Sequence, residues 1–518
     1  VHSHQPTQRQ TVRNLLSIWA NRLLAIAAPL VTTPLIANEF GLAMTGLWLL
    51  ASQLASQLAL LDAGISNSLI RLLARERGQG TAESRARFVS TAFAALAVVG
   101  LSLLVVSPWI VGPVVGAFDL ASGQRGPAVE VMWLAIVFVG LSLPLRTGHG
   151  MLASAHRFDV IQLYEGIGIA ARLIGIVLLV RLTEAKVSGL AWIVFGSTLA
   201  TLAAIFVHGL RQQGGSTTLR PSMVAGSALR EIVAMGLAAM VVTGAAVGLN
   251  QFSASLVGMW MDTSAVAHLA LPLMIFASIT PFFSTFAAVA SPIAAGIRSG
   301  EDKSRYLSMY LSVTRYLASA AFLLALMCWW LGPQALSAWL AGPRVSAQDV
   351  TLMAEVLLVL LAGLALTMPS SVGRSLIGSV GGHWAVARAE GVTAVAGLGL
   401  GAALVGWTSL GVTGMAIGVA AALALRGLAW YPAMVASWFD TPVIGLLRSC
   451  MLRPTAVALS TLVASEALRA AMLRMSADSI SVALAVPAAS VALWVFATWW
   501  LVLTPGHRAA VLQRARRR

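Results

Sequence analysis

The sequence predicts an all-α polytopic membrane protein with about fourteen transmembrane helices. Three observations carry that prediction. Apolar residues make up 58% of the 518 positions and charged residues only 10%, far from a soluble composition. Fourteen stretches approach or exceed the run of about 20 mostly apolar residues that spans a bilayer. The basic residues between those stretches alternate sides almost without error.

In order, the spans lie near 14–37, 44–66, 88–113, 128–150, 162–181, 187–208, 231–259, 264–290, 307–331, 350–373, 388–407, 411–433, 454–471 and 479–503. Interior prolines (Pro29, Pro34, Pro144, Pro272, Pro281, Pro292 and Pro369) fit such helices, because neighbouring helices satisfy the freed backbone groups. A transmembrane β-barrel would need alternating segments of about 10 residues, and these runs are too long and too uniformly apolar.

The charges orient the bundle. One set of connections holds Arg9 and Arg13, the turn from Arg71 to Arg87, Arg146, Arg157, Arg211, Arg220, Arg230, Arg298 to Arg315, Arg374, Arg388, Arg426, Arg448, Arg453 and the basic tail from Arg508. That set accounts for 26 of the 34 Lys and Arg residues. The other set holds 6: Arg125, Arg181, Lys186, Arg344, Arg469 and Arg474. The split predicts that both termini are cytoplasmic. It also explains the net charge of +15 through topology and anionic lipid, so nucleic acid is not invoked.

Tryptophans follow the same logic. Trp48, Trp109, Trp260, Trp329, Trp330 and Trp407 are expected at the outer interface, and Trp384, Trp430 and Trp438 at the inner one. A polar start leading into a full-length helix predicts no cleavable signal peptide, although the first residue is Val1 rather than Met. Cys328 lies toward the outer end of the ninth span and Cys450 in a cytoplasmic loop, which excludes a disulfide framework. His149 and His156 have no carboxylate or thiolate at ligand spacing in the sequence, so neither a metal nor a cofactor is expected.

The chain divides into an N-terminal six-helix lobe (14–209), a cytoplasmic linker (210–230), a second six-helix lobe (231–436), a final helix pair (454–503) and a basic tail (504–518). The lobes share a register. Leu143-Pro144 and Met368-Pro369 match at an offset of 225 residues, as do Leu152-Ala153-Ser154 and Ile377-Gly378-Ser379. The basic turn at Arg75-Glu76-Arg77-Gly78 has a counterpart at Ile297-Arg298-Ser299-Gly300. Six spans per lobe make a parallel repeat, related by a pseudo-two-fold along the membrane normal and suited to alternating access. Outer connections are short, the longest near 332–349, which argues against an enzyme with an external catalytic loop.

Polar groups inside spans are the informative ones, because a central Arg costs roughly 2.5–3.5 kcal/mol on insertion scales. Arg172 lies mid-span, seven residues after Glu165 on about the same face. It either lines a polar cavity or pairs with Glu165. Arg22 lies about 13 Å into the first span, beside Asn21 and too deep to snorkel comfortably. Asp62, followed by Gly64, is a helix-break cap or a coupling carboxylate. Asn250 and Gln251 present at least one polar group to the bundle interior. Arg315 lies about eight residues into its span, while Arg146 and Arg374 are placed to snorkel.

The segment 29–78 resembles the opening of the bacterial polysaccharide flippases of the Wzx type. It has a Pro-containing first helix, a short outer turn at Gly46-Leu47-Trp48, a Leu-x-Asp-x-Gly motif ending at Gly64, and a basic inner turn. Segments 163–180 and 248–258 resemble the fifth and seventh spans of that family, with an Arg at the Arg172 position. Ser253 and the run Ala267-His268-Leu269 depart from it, where the family often has an Asp and a Gly-x-Tyr turn. These flippases share a superfamily with lipid II flippases and MATE drug exporters.

The resemblance implies a flippase that carries a polyprenyl-diphosphate-linked oligosaccharide to the outer leaflet of the bacterial inner membrane, driven by an ion gradient. It also implies a final helix pair sheltering the lipid tail, a monomer, and partners in polysaccharide polymerisation and chain-length control. Arg22, Arg172, Asn250, Gln251 and Arg315 are then the substrate-binding candidates, and Asp62 and Glu165 the coupling or gating candidates. A multidrug exporter is the alternative. It would want buried carboxylates for cations, whereas the best central charges here are Arg. A membrane enzyme of polysaccharide assembly would want paired carboxylates or a large outer loop.

Overall fold

A computed structural model describes residues 8–62, 64–118, 120, 123–182, 186–212, 219–288, 303–379, 381–475, 479–506 and 508–509. Among them, thirteen helical stretches are long and apolar enough to cross a membrane. The first, Trp19–Gly78, has 60 residues. At about 1.5 Å per residue it would run roughly 90 Å, three hydrocarbon thicknesses, if it were straight. It is broken instead. Gly41 has φ 76 and ψ 168 inside α1 (Gln8–Leu58), a conformation that costs little only for glycine. The stretch therefore has the length and the break for the two spans expected there. The turn falls at Gly41 rather than at Gly46-Leu47-Trp48, which is helical.

A 3-10 turn, Ala59–Asp62, separates α1 from α2 (Ile65–Gln79). There follow α3 (Ala82–Gly116), α4 (Arg125–Leu145), α5 (Thr147–Ala153), α6 (Phe158–Leu182), α7 (Val187–Gln212), α8 (Gly226–Val247), α9 (Ser253–Trp260) and α10 (Thr263–Ala288). The later helices are α11 (Lys303–Trp339), α12 (Ala347–Leu366), α13 (Met368–Ser379), α14 (His383–Trp407), α15 (Gly411–Leu425), α16 (Tyr431–Trp438), α17 (Val443–Arg474) and α18 (Ser479–Ala497). Three π-helical turns interrupt this order: Gly248–Phe252, Arg426–Trp430 and Thr498–Val502. The inner turn at 297–300, Pro292 and the tail beyond 509 lie outside the described residues.

Backbone packing divides the chain into two compact units, residues 1–270 with 339–345, and residues 271–338 with 346–518. In the first, Leu47, Trp48 and Ala51 of α1 pack with Leu96 of α3, Val139 of α4 and Phe195 of α7. Trp48, expected at the lipid–water interface, is only 6% exposed and tilts against Phe195 at 5.6 Å. It is a core residue because the turn at Gly41 starts its helix earlier. Trp109, Trp260, Trp329, Trp384 and Trp407 are exposed, as interfacial anchors should be. The segment 339–345 is tied to α1, where Trp339 Nε1 donates to the Leu30 carbonyl at 2.7 Å and Asn38 Nδ2 to that of Ala341 at 2.8 Å. Within the linker, the Arg220 and Ala225 amides donate to Ser90 and Thr91 of α3.

In the second unit the largest fully buried side chains are Tyr306, Tyr310 and Tyr431. Tyr310 donates to the carbonyl of Pro369, at the break between α12 and α13. Bulky apolar residues stay exposed along the spans, Val98, Leu101, Val105 and Val106 on α3 among them. An outward apolar surface of this kind is solvated by lipid, and the chain is a multi-pass membrane protein. Cys328 and Cys450 are buried and unbridged.

Candidate functional site

A cavity of about 670 Å³ opens inside the first unit. Its polar lining includes Asp62, Asn67, Arg146, His149, Arg172 and Thr198. Local backbone breaks make it. The 3-10 turn presents Asp62, and the joint between α4 and α5, just after Pro144, presents Arg146 and His149. Asp62 is buried, accepts from Ser66 Oγ at 2.7 Å and lies 3.9 Å from Arg146 Nη1. The sequence reading had Arg146 snorkelling; here it turns to a buried carboxylate instead.

Arg172 projects from α6 into this cavity, and its buried Nε has no hydrogen-bond partner. Pairing with Glu165, the structural alternative open in the sequence, is not formed. Glu165 binds His149 Nε2 at 3.2 Å through one oxygen and Asn21 Nδ2 at 3.1 Å through the other. Asn21 also donates to Gln162 at 2.7 Å. The carboxylate missing from the spacing around His149 is therefore supplied by the next helix, 16 residues away. No group of three or more His, Cys, Asp or Glu suited to a metal occurs among the described residues.

The other candidates lie apart from this cluster. Arg22 is half-buried on α1 and does not line the cavity, although its neighbour Asn21 reaches the Glu165 carboxylate. Asn250 and Gln251 sit in the π-helical turn Gly248–Phe252, which packs on α1. Their side-chain oxygens are buried without partners, and Asn250 Nδ2 donates to the Ala246 carbonyl. Such turns widen a helix locally and recur at functional sites. Arg315, in the second unit, donates from Nη2 to the Ser449 carbonyl of α17 at 2.6 Å.

The second unit holds a polar cluster that the sequence reading missed. Glu390 of α14 is 3% exposed and meets Arg426 Nη1 at 2.6 Å. Arg426 also donates from Nε to Thr393 Oγ1 at 2.6 Å and from Nη2 to the Glu390 carbonyl at 3.0 Å. Tyr431 Oη donates to Glu390 at 3.0 Å, and Arg374 lies 3.6 Å away. Arg426, expected among the cytoplasmic charges, is only 6% exposed in the π-helical turn. Arg374, expected to snorkel, joins the same carboxylate. The 225-residue offset could have found this cluster, since it maps Glu165 onto Glu390 and His149 onto Arg374. A separate cleft of about 460 Å³ lies between α11, α12, α17 and α18, with Trp329, Glu355, Arg469 and Pro487 in its walls.

Among solved structures, the chain is similar to an inward-facing multidrug resistance MATE family transporter of the MOP superfamily. The TM-score is 0.71 at 14% identity, covering 83% of this chain and 96% of the other. It is similar to the lipid II flippase MurJ in an inward closed conformation, with a TM-score of 0.69 at 13% identity over 94% of this chain and 98% of that one. The chain has the fold of these transporters. A third likeness is a MOP superfamily transporter from Pyrococcus furiosus whose binding pocket is of reverse polarity, at a TM-score of 0.55 and 14% identity, covering 85% and 95%. No family model matches the sequence, and neither does any curated protein.

Proposed function

We propose that this chain is a flippase for a polyprenyl-diphosphate-linked oligosaccharide, serving cell-surface polysaccharide synthesis in the bacterial inner membrane. The single observation that carries the proposal is Arg172, a cationic side chain with an unsatisfied buried donor inside a polar cavity. A diphosphate offers acceptors to that guanidinium, and charge-assisted bonds of this type are the strong ones. Asn67, Thr198 and the partnerless oxygens of Asn250 and Gln251 supply groups of the kind a glycan needs. The cleft walled by α17 and α18 suits the lipid tail. The fold likeness to the lipid II flippase, over 94% of the chain, is compatible with a lipid-linked cargo.

In this reading residues 14–209 and 231–436 are the lobes that alternate access, 454–503 is the final pair, and both termini are cytoplasmic. Asp62 and Glu165 are the coupling or gating residues. The protein acts as a monomer beside a polysaccharide polymerase and chain-length machinery. A second reading, an exporter of small organic cations, is favoured by the buried Asp62 on the cavity wall. Arg146 and Arg172 oppose it there.

Deleting the protein in its host should remove the surface glycan and leave lipid-linked oligosaccharide in the cytoplasmic leaflet, with sensitivity to cationic dyes unchanged. Dye hypersensitivity with an intact surface glycan would select the exporter instead.

A further inference from the structure

The two units hold the same charge pair in two different chemistries. At the 225-residue offset, His149 and Glu165 correspond to Arg374 and Glu390, and both pairs form, at 3.2 and 3.6 Å. Their surroundings correspond as well. Gly148 packs on the backbone of Phe206, and Gly373 packs on Tyr431, its equivalent. Gly168 meets the Thr201 hydroxyl where, in the second unit, Thr393 accepts from Arg426. Each pair therefore occupies the same place in its own unit.

The carboxylate and the packing glycine are the same in both units, and the chemistry diverges at the cation and at the residues around it. In the second unit the cation is a guanidinium, charged at all physiological pH values, and Arg426 and Tyr431 bind the carboxylate again. That copy is a fixed clamp. In the first unit the cation position is an imidazole, a side chain that can be neutral or charged where a guanidinium is always charged. Thr201 and Phe206 replace Arg426 and Tyr431, and Glu165 is left with Asn21 as its second partner. His149 itself lines the cavity that Arg172 enters.

We infer that the His149–Glu165 pair is a proton-binding site, and that a proton held there raises the affinity of the Arg172 cavity for its anionic ligand. The second half of this rests on the anionic-cargo reading above. The groups around His149 make the charge balance simple. Arg146 stands at its own helix joint, Asp62 faces it from the 3-10 turn, and Glu165 and Arg172 come from α6. From α2 come Ser66 and Asn67, which carry no charge. Elsewhere on the surrounding helices Tyr164 is engaged with His208, Arg157 with Asp159, Arg85 with the Glu76 carbonyl, and Arg75 with Glu76 and Glu231, while Arg22, Arg71, Arg77, Glu83, Arg87, Glu130 and Arg211 do not line the cavity. With both carboxylates ionised they cancel the two guanidiniums, and the protonated imidazole then adds one positive charge. By reciprocity, binding an anion draws the proton in.

Two measurements on the purified full-length protein in lipid nanodiscs test this. The first is histidine-selective NMR without ligand, with the His149 signal assigned by its loss in His149→Gln. That signal should change with pH, and Glu165→Gln should alter the pH dependence. A His149 signal that does not titrate, or that ignores Glu165→Gln, overturns the proton site. The second is calorimetric binding of inorganic pyrophosphate across the same pH titration. Wild-type affinity should fall about tenfold as pH rises, a typical coupling. His149→Arg, which copies the second unit, should bind tightly at every pH, and His149→Gln weakly at every pH. Wild-type pH dependence surviving in His149→Gln overturns the coupling. If pyrophosphate binds none of the proteins while His149 titrates and responds to Glu165→Gln, the anionic-cargo reading and the coupling fail and the proton site stands.

Discussion

Arg172→Ala should abolish export of the surface glycan while the protein still accumulates in the membrane. The guanidinium lines the cavity with a buried Nε–H that no protein group accepts. Removing it leaves no unpaired carboxylate behind, because Glu165 is held by His149 and Asn21. The fold is thus spared and the cargo loses its main cation. Truncating one side of a buried charged contact costs about 2–5 kcal/mol of binding, roughly thirtyfold to several thousandfold. Lys should restore part of the activity, since it keeps the charge and loses the planar fork. Glycan immunoblots beside a membrane abundance control read this directly. Normal export by Arg172→Ala would remove the cavity assignment. Arg22→Ala should have the smaller effect, because Arg22 does not line the cavity.

Glu390→Gln should be the most destabilising of the conservative substitutions discussed here. Gln keeps the size and an acceptor for Tyr431, but it leaves Arg426 buried with only Thr393 and a backbone carbonyl. Breaking a buried ion pair from one side costs about 3–5 kcal/mol, because the surviving charge is uncompensated. The double variant Glu390→Gln with Arg426→Met removes both charges and should recover most of that loss. Thermal unfolding in detergent decides it. A double variant as unstable as the single one would mean that Arg426 acts through packing rather than charge.

How much of this was legible follows from what each feature depends on. Span positions depend on run length and apolar content, which are local, so the apolar stretches could be read directly. The extra break in the first stretch could be placed only to within a few residues, because Gly41 and Gly46 offer the same signal and tertiary packing chooses between them. Asp62 and Arg172 announced themselves as charges in apolar runs. Their partners did not, since pairing depends on which helix comes alongside. His149 looked unpartnered because its carboxylate is 16 residues away on α6. Arg426 looked like an inner-interface charge because it sits near the end of an apolar run, and Glu390 was not singled out. The π-helical turn that carries Arg426 inward leaves no mark on the sequence. Arg22 and Arg172 read alike as deep cations, and only the cavity separates them.

The most direct test of the central claim is transport by the purified protein alone. Proteoliposomes would be loaded with a fluorescent polyprenyl-diphosphate oligosaccharide, and its appearance in the opposite leaflet followed by a membrane-impermeant quencher or lectin. The account predicts movement with wild-type protein, none with Arg172→Ala, and no acceleration of a matched neutral polyprenyl-linked glycan that lacks the diphosphate. Equal movement of the neutral and diphosphate-linked lipids, or full activity in Arg172→Ala, would contradict it.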